Sequence, residues 1–542
     1  MKRLRIVTTI LTFILLLTAC GTTSGITQND SGTTDAGIEI NLSDEGITVD
    51  QKPVGTNEED AVYTANDIVY YESDKDFTYG EGTEKDAHSA EKAAAHTVVH
   101  ITKAGTYILS GKLSRGQIAV DLGEEAEEDP EAVVTLVLNG VDITCEVAPA
   151  VIFYNVYECG NADVESAQKD VDTSDAGANV IIADGTQNTI NGSYVARIYK
   201  PGSVLLNDDK TEVEDAKKLH KYDGAFYSKM SMNINGGEEN SGVLTINAEN
   251  EGLDSELHLT INSGIININS GNDGINTNED GVSVTTMNDG ILTITVTGET
   301  GEGDGIDSNG WLVINGGTVV AAACSDSADA GIDSDMGIHI NGGTVVAIGH
   351  MLDRIEDGGQ TYAVFQFAQR QDGNAEISLQ DAKGNVVMGT VPGNDYSVLV
   401  CSSPDLKEGT YTLWSDDKQM AGQSGGMFGG FGMPGGTKPE GFEPGGELPE
   451  GFEPDGKFPQ QKLGNTQGNP QGNPPSFGGE PPKGMEGFGR LGRGEGDMWQ
   501  PGNNGGEVQE FTAEFEIVEG GNVFSNVTYL RESEILQNPA LK

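Results

Sequence analysis

One phrase recurs along this chain: an acidic residue or a turn, then Gly, an aliphatic residue and a carboxylate or amide. It reads Glu251-Gly-Leu-Asp254-Ser, Asp273-Gly-Ile-Asn276-Thr, Asp304-Gly-Ile-Asp307-Ser and Ala330-Gly-Ile-Asp333-Ser, with a degenerate copy at Asp223-Gly-Ala. The glycines lie 28, 22, 31 and 26 residues apart. Oxygen donors at a fixed repeat position, without nearby Cys pairs or a His cluster, suit a hard cation such as calcium better than zinc or copper. No EF-hand loop is present, so such a site would be a ladder of side chains rather than a single loop.

The charge pattern sharpens this. Between Met230 and Asp353 there are 19 Asp and Glu residues and no Lys or Arg. If the repeat positions stack, Asp254, Asn276, Asp307 and Asp333 lie about 5 Å apart on successive turns. Two bare carboxylates at that spacing repel by roughly 3 kcal/mol at an effective dielectric of about 20. Calcium between them would offset the repulsion, with Asp273 and Asp304 adding ligands from the turn edge and Glu251 and Asp329 as further candidates. A merely hydrated, solubilising acidic face is the alternative.

Stacking requires a scaffold that returns the chain to the same place. A second phrase follows most copies of the first: Ile234-Asn-Gly-Gly, Ile261-Asn-Ser-Gly, Ile314-Asn-Gly-Gly and Ile340-Asn-Gly-Gly. Short β-branched runs bounded by Asn, Asp and Gly, repeating at roughly 20–30 residues, mark a solenoid. The expectation is an all-β fold, a parallel β-helix over residues 66–352. Ile306, Leu312, Ile314, Val319, Ile332 and Ile340 would point inward, and Asn315 and Asn341 would stack at turns. A β-sandwich also has short strands, but does not normally repeat one phrase at a coil-sized interval. Only Glu212 to His220 reads as locally helical, on a loop projecting from one coil.

The remaining chain divides by composition. Residues 1–19 have a basic start, an apolar core and Leu17-Thr-Ala before Cys20, the layout of a secretory signal with a lipidation site at Cys20. Residues 20–65 read as a flexible tether. Residues 353–420 and 508–542 read as two parts of a small β cap closing the open apolar end of the solenoid. Between them, residues 421–507 are Gly- and Pro-rich and expected to be disordered. The mature protein would therefore sit lipid-anchored on the outer face of a cell membrane, as a monomer.

The formal charge of −54 argues against nucleic acid or anionic lipid as partners through bare protein charge. Cys145, Cys159, Cys324 and Cys401 match no zinc spacing; a Cys145–Cys159 bridge and isolated buried thiols are both open.

Gly305-Ile-Asp-Ser, Ile314-Asn-Gly-Gly-Thr-Val, Gly105-Thr-Tyr-Ile-Leu-Ser-Gly and Leu138-Asn-Gly-Val-Asp-Ile, with the lipidation signal, resemble the bacterial carbohydrate-binding β-helix lipoproteins of clostridia and their relatives. The resemblance covers roughly residues 66–350. It implies a right-handed parallel β-helix similar to that of family 9 polysaccharide lyases, bound calcium, and binding of acidic pectic polymer and cellulose-like glycan. Its calcium candidates fall on Asp254, Asp273, Asn276, Asp304, Asp307 and Asp333. The acidic loops Glu124 to Glu131 and Asn207 to Lys221, and the long Gly/Pro insertion, depart from the pattern and leave the glycan open.

Catalysis is not expected. A pectate-type lyase needs a Lys or Arg base beside its calcium, and the acidic repeats contain neither. Lys229 and Arg354 stand just outside them, and Lys200, Lys217, Lys218 and Lys221 precede them. The expected function is calcium-dependent binding of an acidic (polygalacturonate-like) or cellulose-like polysaccharide. Trp311, Tyr222 and Tyr227 are candidate sugar platforms, although packing or a structural hydrogen bond is the stronger claim on each taken alone. A structural or adhesive solenoid stiffened by calcium is the first alternative, and a lyase the second.

Overall fold

The computed structural model describes residues 37–425 and 511–530. Nearly all regular structure is strand; the single α-helix among the described residues is Ala90–Ala94. No helix there is long and apolar enough to cross a membrane. Cys20 and the signal-like residues 1–19, most of the Gly/Pro-rich segment and the last residues of the chain lie outside the described residues.

The chain visits three ladders in rotation. One circuit contributes Glu251–Ser255 to the first, His258–Ile261 to the second and Ile265–Ser270 to the third. The next contributes Ile275–Thr277, Val284–Met287 and Ile291–Val296, and the one after it Ile306–Ser308, Trp311–Ile314 and Thr318–Ala322. Every pairing between these circuits is parallel and in register. Hairpin pairing would have been antiparallel.

Register puts like on like inside. Leu244, Ile266, Leu292, Val319 and Val345 align along the third ladder, and Leu253, Ile275 and Ile306 along the first. All are buried, as are Leu312, Ile314, Ile332 and Ile340. Each such side chain contributes about 1.5–3 kcal/mol of burial. At the corners, Asn262, Asn288, Asn315 and Asn341 form a chain of side-chain amides, each Nδ2 donating to the preceding Oδ1 at 2.8–2.9 Å.

Two expectations need correction. The stretch expected to be tether is ordered from residue 37: Ile38–Leu42 runs parallel to Gly105–Leu113, with Ile40 and Leu42 buried. The alternation Ile38, Ile40, Leu42 is a strand signal that the surrounding Gly, Thr and Asp obscured. The segment from Glu212 to His220 is not helical. It contains Val213–Asp215, paired antiparallel with Leu205–Leu206, within the excursion between Gln187–Gly192 and Gly224–Ser228.

Beyond Gly349, Tyr396–Ser402 pairs antiparallel with Thr344–Gly349, ending the parallel stack. Tyr362–Gln371 and Gly521–Tyr529 extend this layer, and Phe365, Phe515 and Phe524 pack as a second core. The four cysteines described are all unpaired thiols; Cys145, Cys324 and Cys401 are buried and Cys159 is half-buried.

Candidate functional site

The recurring phrase is explained by the first ladder. Its glycines face inward where the coils approach too closely for a side chain. A Cβ on Gly274 would lie 2.2 Å from Ile294 Cγ2 and 2.5 Å from the Gly305 carbonyl oxygen; one on Gly305 would lie 2.3 Å from the Gly331 oxygen. The aliphatic residue that follows fills the core. The next residue points outward, so Asp254, Asn276 and Asp307 stand in one column in consecutive register. Asp333 follows outside any strand, its backbone N–H donating to the Ile306 oxygen at 2.7 Å.

Asp254 and Asn276 are buried and short of donors, while Asp307 and Asp333 are half-buried. Asp254 Oδ1 accepts from Asn278 Nδ2 at 2.6 Å, and Glu251 Oε1 from Asn276 Nδ2 at 3.1 Å. Their other oxygens, Asp254 Oδ2 and Glu251 Oε2, are buried without a partner, and so is Asn276 Oδ1. An unmet buried acceptor costs about 1–3 kcal/mol, more when charged. Three acceptors are thus left without donors: two carboxylate oxygens and one amide oxygen, the donor types a hard cation takes. Among the described residues, no group of three or more His, Cys, Asp or Glu side chains is gathered for metal binding. What comes together here is two carboxylates and an amide.

The other candidates divide by role. Asp273 Oδ1 accepts the Asp304 N–H at 2.7 Å, Asp304 Oδ1 the Ala330 N–H at 2.6 Å, and Asp329 Oδ2 the Gly303 N–H at 2.6 Å. These three carboxylates tie one coil edge to the next.

Electrostatics follow from burial. Burial raises the Glu251 carboxyl to about 8, with Asp223 adding to it, and Asp304 to about 9, with Asp273 adding. Burial lifts Asp307 to about 6, helped by Asp335, and Asp333 to about 7, helped by Asp353. Asp254 and Asp273 are pushed well above the usual carboxylate range by burial and then by Glu251. Near pH 7 the protein alone holds this column charged only at a cost.

Of the basic residues outside the repeats, Lys229 and Arg354 are engaged elsewhere, whereas Lys221 lies near enough for its charge to pull the Asp223, Asp254 and Glu256 carboxyls down against burial. Lys229 Nζ lies 2.6 Å from Glu127 Oε1 and Arg354 Nε 2.6 Å from Glu356 Oε1. Arg197, not singled out by the sequence, bonds Asp223 Oδ2 at 3.0 Å at the head of the site.

Of the aromatic candidates, Tyr227 is in register with Asp254 but 1% exposed, with its hydroxyl donating to Glu256 Oε1 at 2.8 Å. It packs rather than presents a platform. Tyr222 is half-buried beside it, ring centroids 5.2 Å apart, and stacks on His220 at 4.3 Å. Trp311 sits on the second ladder, in register with Val284 and Gly337, away from the acidic column.

Sequence reading also missed a parallel column two residues on: Glu256, Asn278, Asn309 and Asp335. The signal was the same outward alternation.

A family described as carbohydrate-binding domain-containing protein matches residues 95–385. A carbohydrate-binding domain-containing protein of Acetivibrio thermocellus is 32% identical over 170 residues, covering 31% of this chain and 43% of the relative. The chain thus spans less than half the length of that relative. A polysaccharide lyase-like protein from C. thermocellum, solved as a gadolinium derivative, aligns at 19% identity over 57% of this chain and 93% of its own. Its TM-score of 0.31 is too low to support an argument. The family match spans more than half of the sequence and includes the whole acidic column. The chain belongs to the family of carbohydrate-binding domain-containing proteins.

Proposed function

We propose that this is a calcium-dependent, non-catalytic polysaccharide-binding protein, lipid-anchored through Cys20 at the cell surface. Its three ladders would form a right-handed parallel β-helix. The observation that carries the calcium reading is the set of buried orphaned acceptors, Asp254 Oδ2 and Asn276 Oδ1 in the column and Glu251 Oε2 on the side chain bonded to Asn276. Calcium accepts carboxylate, amide and water oxygens in flexible geometry, so these residues fit it. Asp307 and Asp333 would extend the site, while Asp273, Asp304 and Asp329 hold the coil edges that frame it.

A bound divalent ion would let an acidic glycan approach a protein of net charge −54 by bridging its carboxylates. The substrate class is therefore an acidic, polygalacturonate-like polymer at this column. The test is metal analysis of the purified chain, with retention on polygalacturonate in calcium and in EDTA. Absence of bound calcium, or equal retention in both, would reject the reading.

A lyase is the second reading, because Arg197 stands at the head of the site. Its guanidinium is committed to Asp223, which suits a structural counter-charge better than a free base. Appearance of an unsaturated, ultraviolet-absorbing product would overturn this preference.

A further inference from the structure

An amine, an amide and two carboxylates meet on the first ladder, on the coils that precede the acidic column. Lys229 directly follows the strand Gly224–Ser228, and its backbone N–H donates to the Phe153 oxygen at 2.9 Å. Asn155 ends the neighbouring strand, Val151–Asn155, and is in register with Asp121 one coil further back. Lys229 Nζ lies 3.0 Å from Asn155 Oδ1 and 2.6 Å from Glu127 Oε1. Asn155 Nδ2 in turn donates to Asp121 Oδ1 at 2.9 Å, so the amide is held at both of its ends. Glu127 lies in the short helical turn Glu124–Glu128, which is fastened by the Glu158 N–H donating to the Glu127 backbone oxygen at 3.1 Å.

A half-exposed ion pair such as Lys229 with Glu127 is worth little by itself. The carbon behind the accepting amide oxygen gives this one another use. Asn155 Cγ carries a leaving group and is held beside the amine. Orienting two reacting groups raises their effective concentration to as much as about 10⁵–10⁸ M, and a step that runs once per molecule can be slow. Glu127 takes a proton from the Lys229 ammonium and so frees the Nζ lone pair. Nζ adds to Asn155 Cγ, and the Cγ–Nδ2 bond breaks. Nδ2 leaves as ammonium, with the proton that Glu127 returns and one shed by Nζ. Nothing is oxidised or reduced: an ammonium and a primary amide become a secondary amide and free ammonium.

We infer that Lys229 and Asn155 mature into an intramolecular amide bond, with Glu127 moving the proton, as a covalent staple between two coils of the first ladder. The two residues are 74 positions apart, so the bond closes a long loop and restricts the unfolded chain. The coil it fixes pairs directly with Glu251–Ser255, at the head of the acidic column. The staple depends on neither calcium nor a glycan.

The test is a tryptic map, by mass spectrometry, of the purified full chain after denaturation. The bond should block cleavage after Lys229 and join Gly116–Lys169 to Tyr222–Arg354 in one species, lighter than the sum of the two by one ammonia. Separate Tyr222–Lys229 and Met230–Arg354 peptides at full mass would overturn the inference and leave only an ion pair. Lys229→Arg keeps the charge but lacks the amine, and should abolish the joined species and lower the melting temperature. Glu127→Gln should cut the joined species by at least about tenfold, and joining at the wild-type level would overturn the role of Glu127. Glu127→Ala serves the same purpose if the Gln variant does not fold. The wild-type map decides the bond by itself, whether or not any variant folds.

Discussion

Replacing Asp307 by Asn should have opposite effects in the absence and presence of calcium. The chain itself carries Asn at the same column position one coil earlier, Asn276, so the amide fits the geometry. Burial and neighbouring carboxylates raise Asp307 to about 6 from an ordinary 3.8. Holding it ionised at pH 8 therefore costs the metal-free protein about 3 kcal/mol. In EDTA, Asp307→Asn removes that cost. At about 2.1 cal/mol/K per residue over roughly 300 residues, the melting temperature should rise by roughly 5 °C.

Calcium reverses the sign. At a free concentration of about 1,000 times Kd the ion stabilises wild type by about 4 kcal/mol, and a tenfold weaker site forfeits about 1.4 kcal/mol of this. Calorimetry of both proteins at pH 8, in EDTA and across a calcium titration, reads both effects. A variant that melts lower than wild type in EDTA, or that keeps the full calcium-induced shift, would refute the account of the column as like charges awaiting an ion.

Other consequences are testable alongside. In EDTA, the melting temperature should rise as pH falls from about 9 toward 7, because Asp304, raised to about 9, and Asp333, raised to about 7, bind protons more readily folded than unfolded. That stabilisation is lost as pH rises through those values, and saturating calcium should flatten the slope. His258, buried and lowered to about 4 from 6.5, works in the opposite direction: its contribution is complete above about 6.5 and lost as pH falls toward 4. His258→Gln should therefore reduce the loss of stability seen on acidification between those values. Gly305→Ala should destabilise by several kcal/mol, since its Cβ would meet the Gly331 carbonyl at 2.3 Å, and chemical denaturation would measure it. Leu292→Ala, fully enclosed in the third ladder, should cost about 2–5 kcal/mol by the same assay.

Much of the scaffold was legible in one dimension. The spacing of Gly-aliphatic-Asp and Ile-Asn-Gly phrases fixed which residues would be equivalent, and Asp254, Asn276 and Asp307 are register partners. Inward and outward positions followed from strand alternation, which is a local property of the backbone. Where local composition misled, a long-range partner decided. Ile38–Leu42 is ordered because Gly105–Leu113 offers it an edge. The acidic stretch near Glu212 takes strand form against Leu205–Leu206.

The amino-acid order alone thus determined that acidic side chains recur at one position of a repeating all-β unit, because period and alternation are written in sequence. Only the tertiary structure decided which oxygens are satisfied: Asp273, Asp304 and Asp329 accept backbone N–H groups of adjacent coils, whereas Glu251, Asp254 and Asn276 keep buried lone pairs. Tyr227 is covered by Tyr222 on the side that Asp254 faces, and Trp311 stands on another ladder, for the same reason. Burial and hydrogen-bond saturation depend on what the neighbouring coil brings into contact, and no local pattern encodes that.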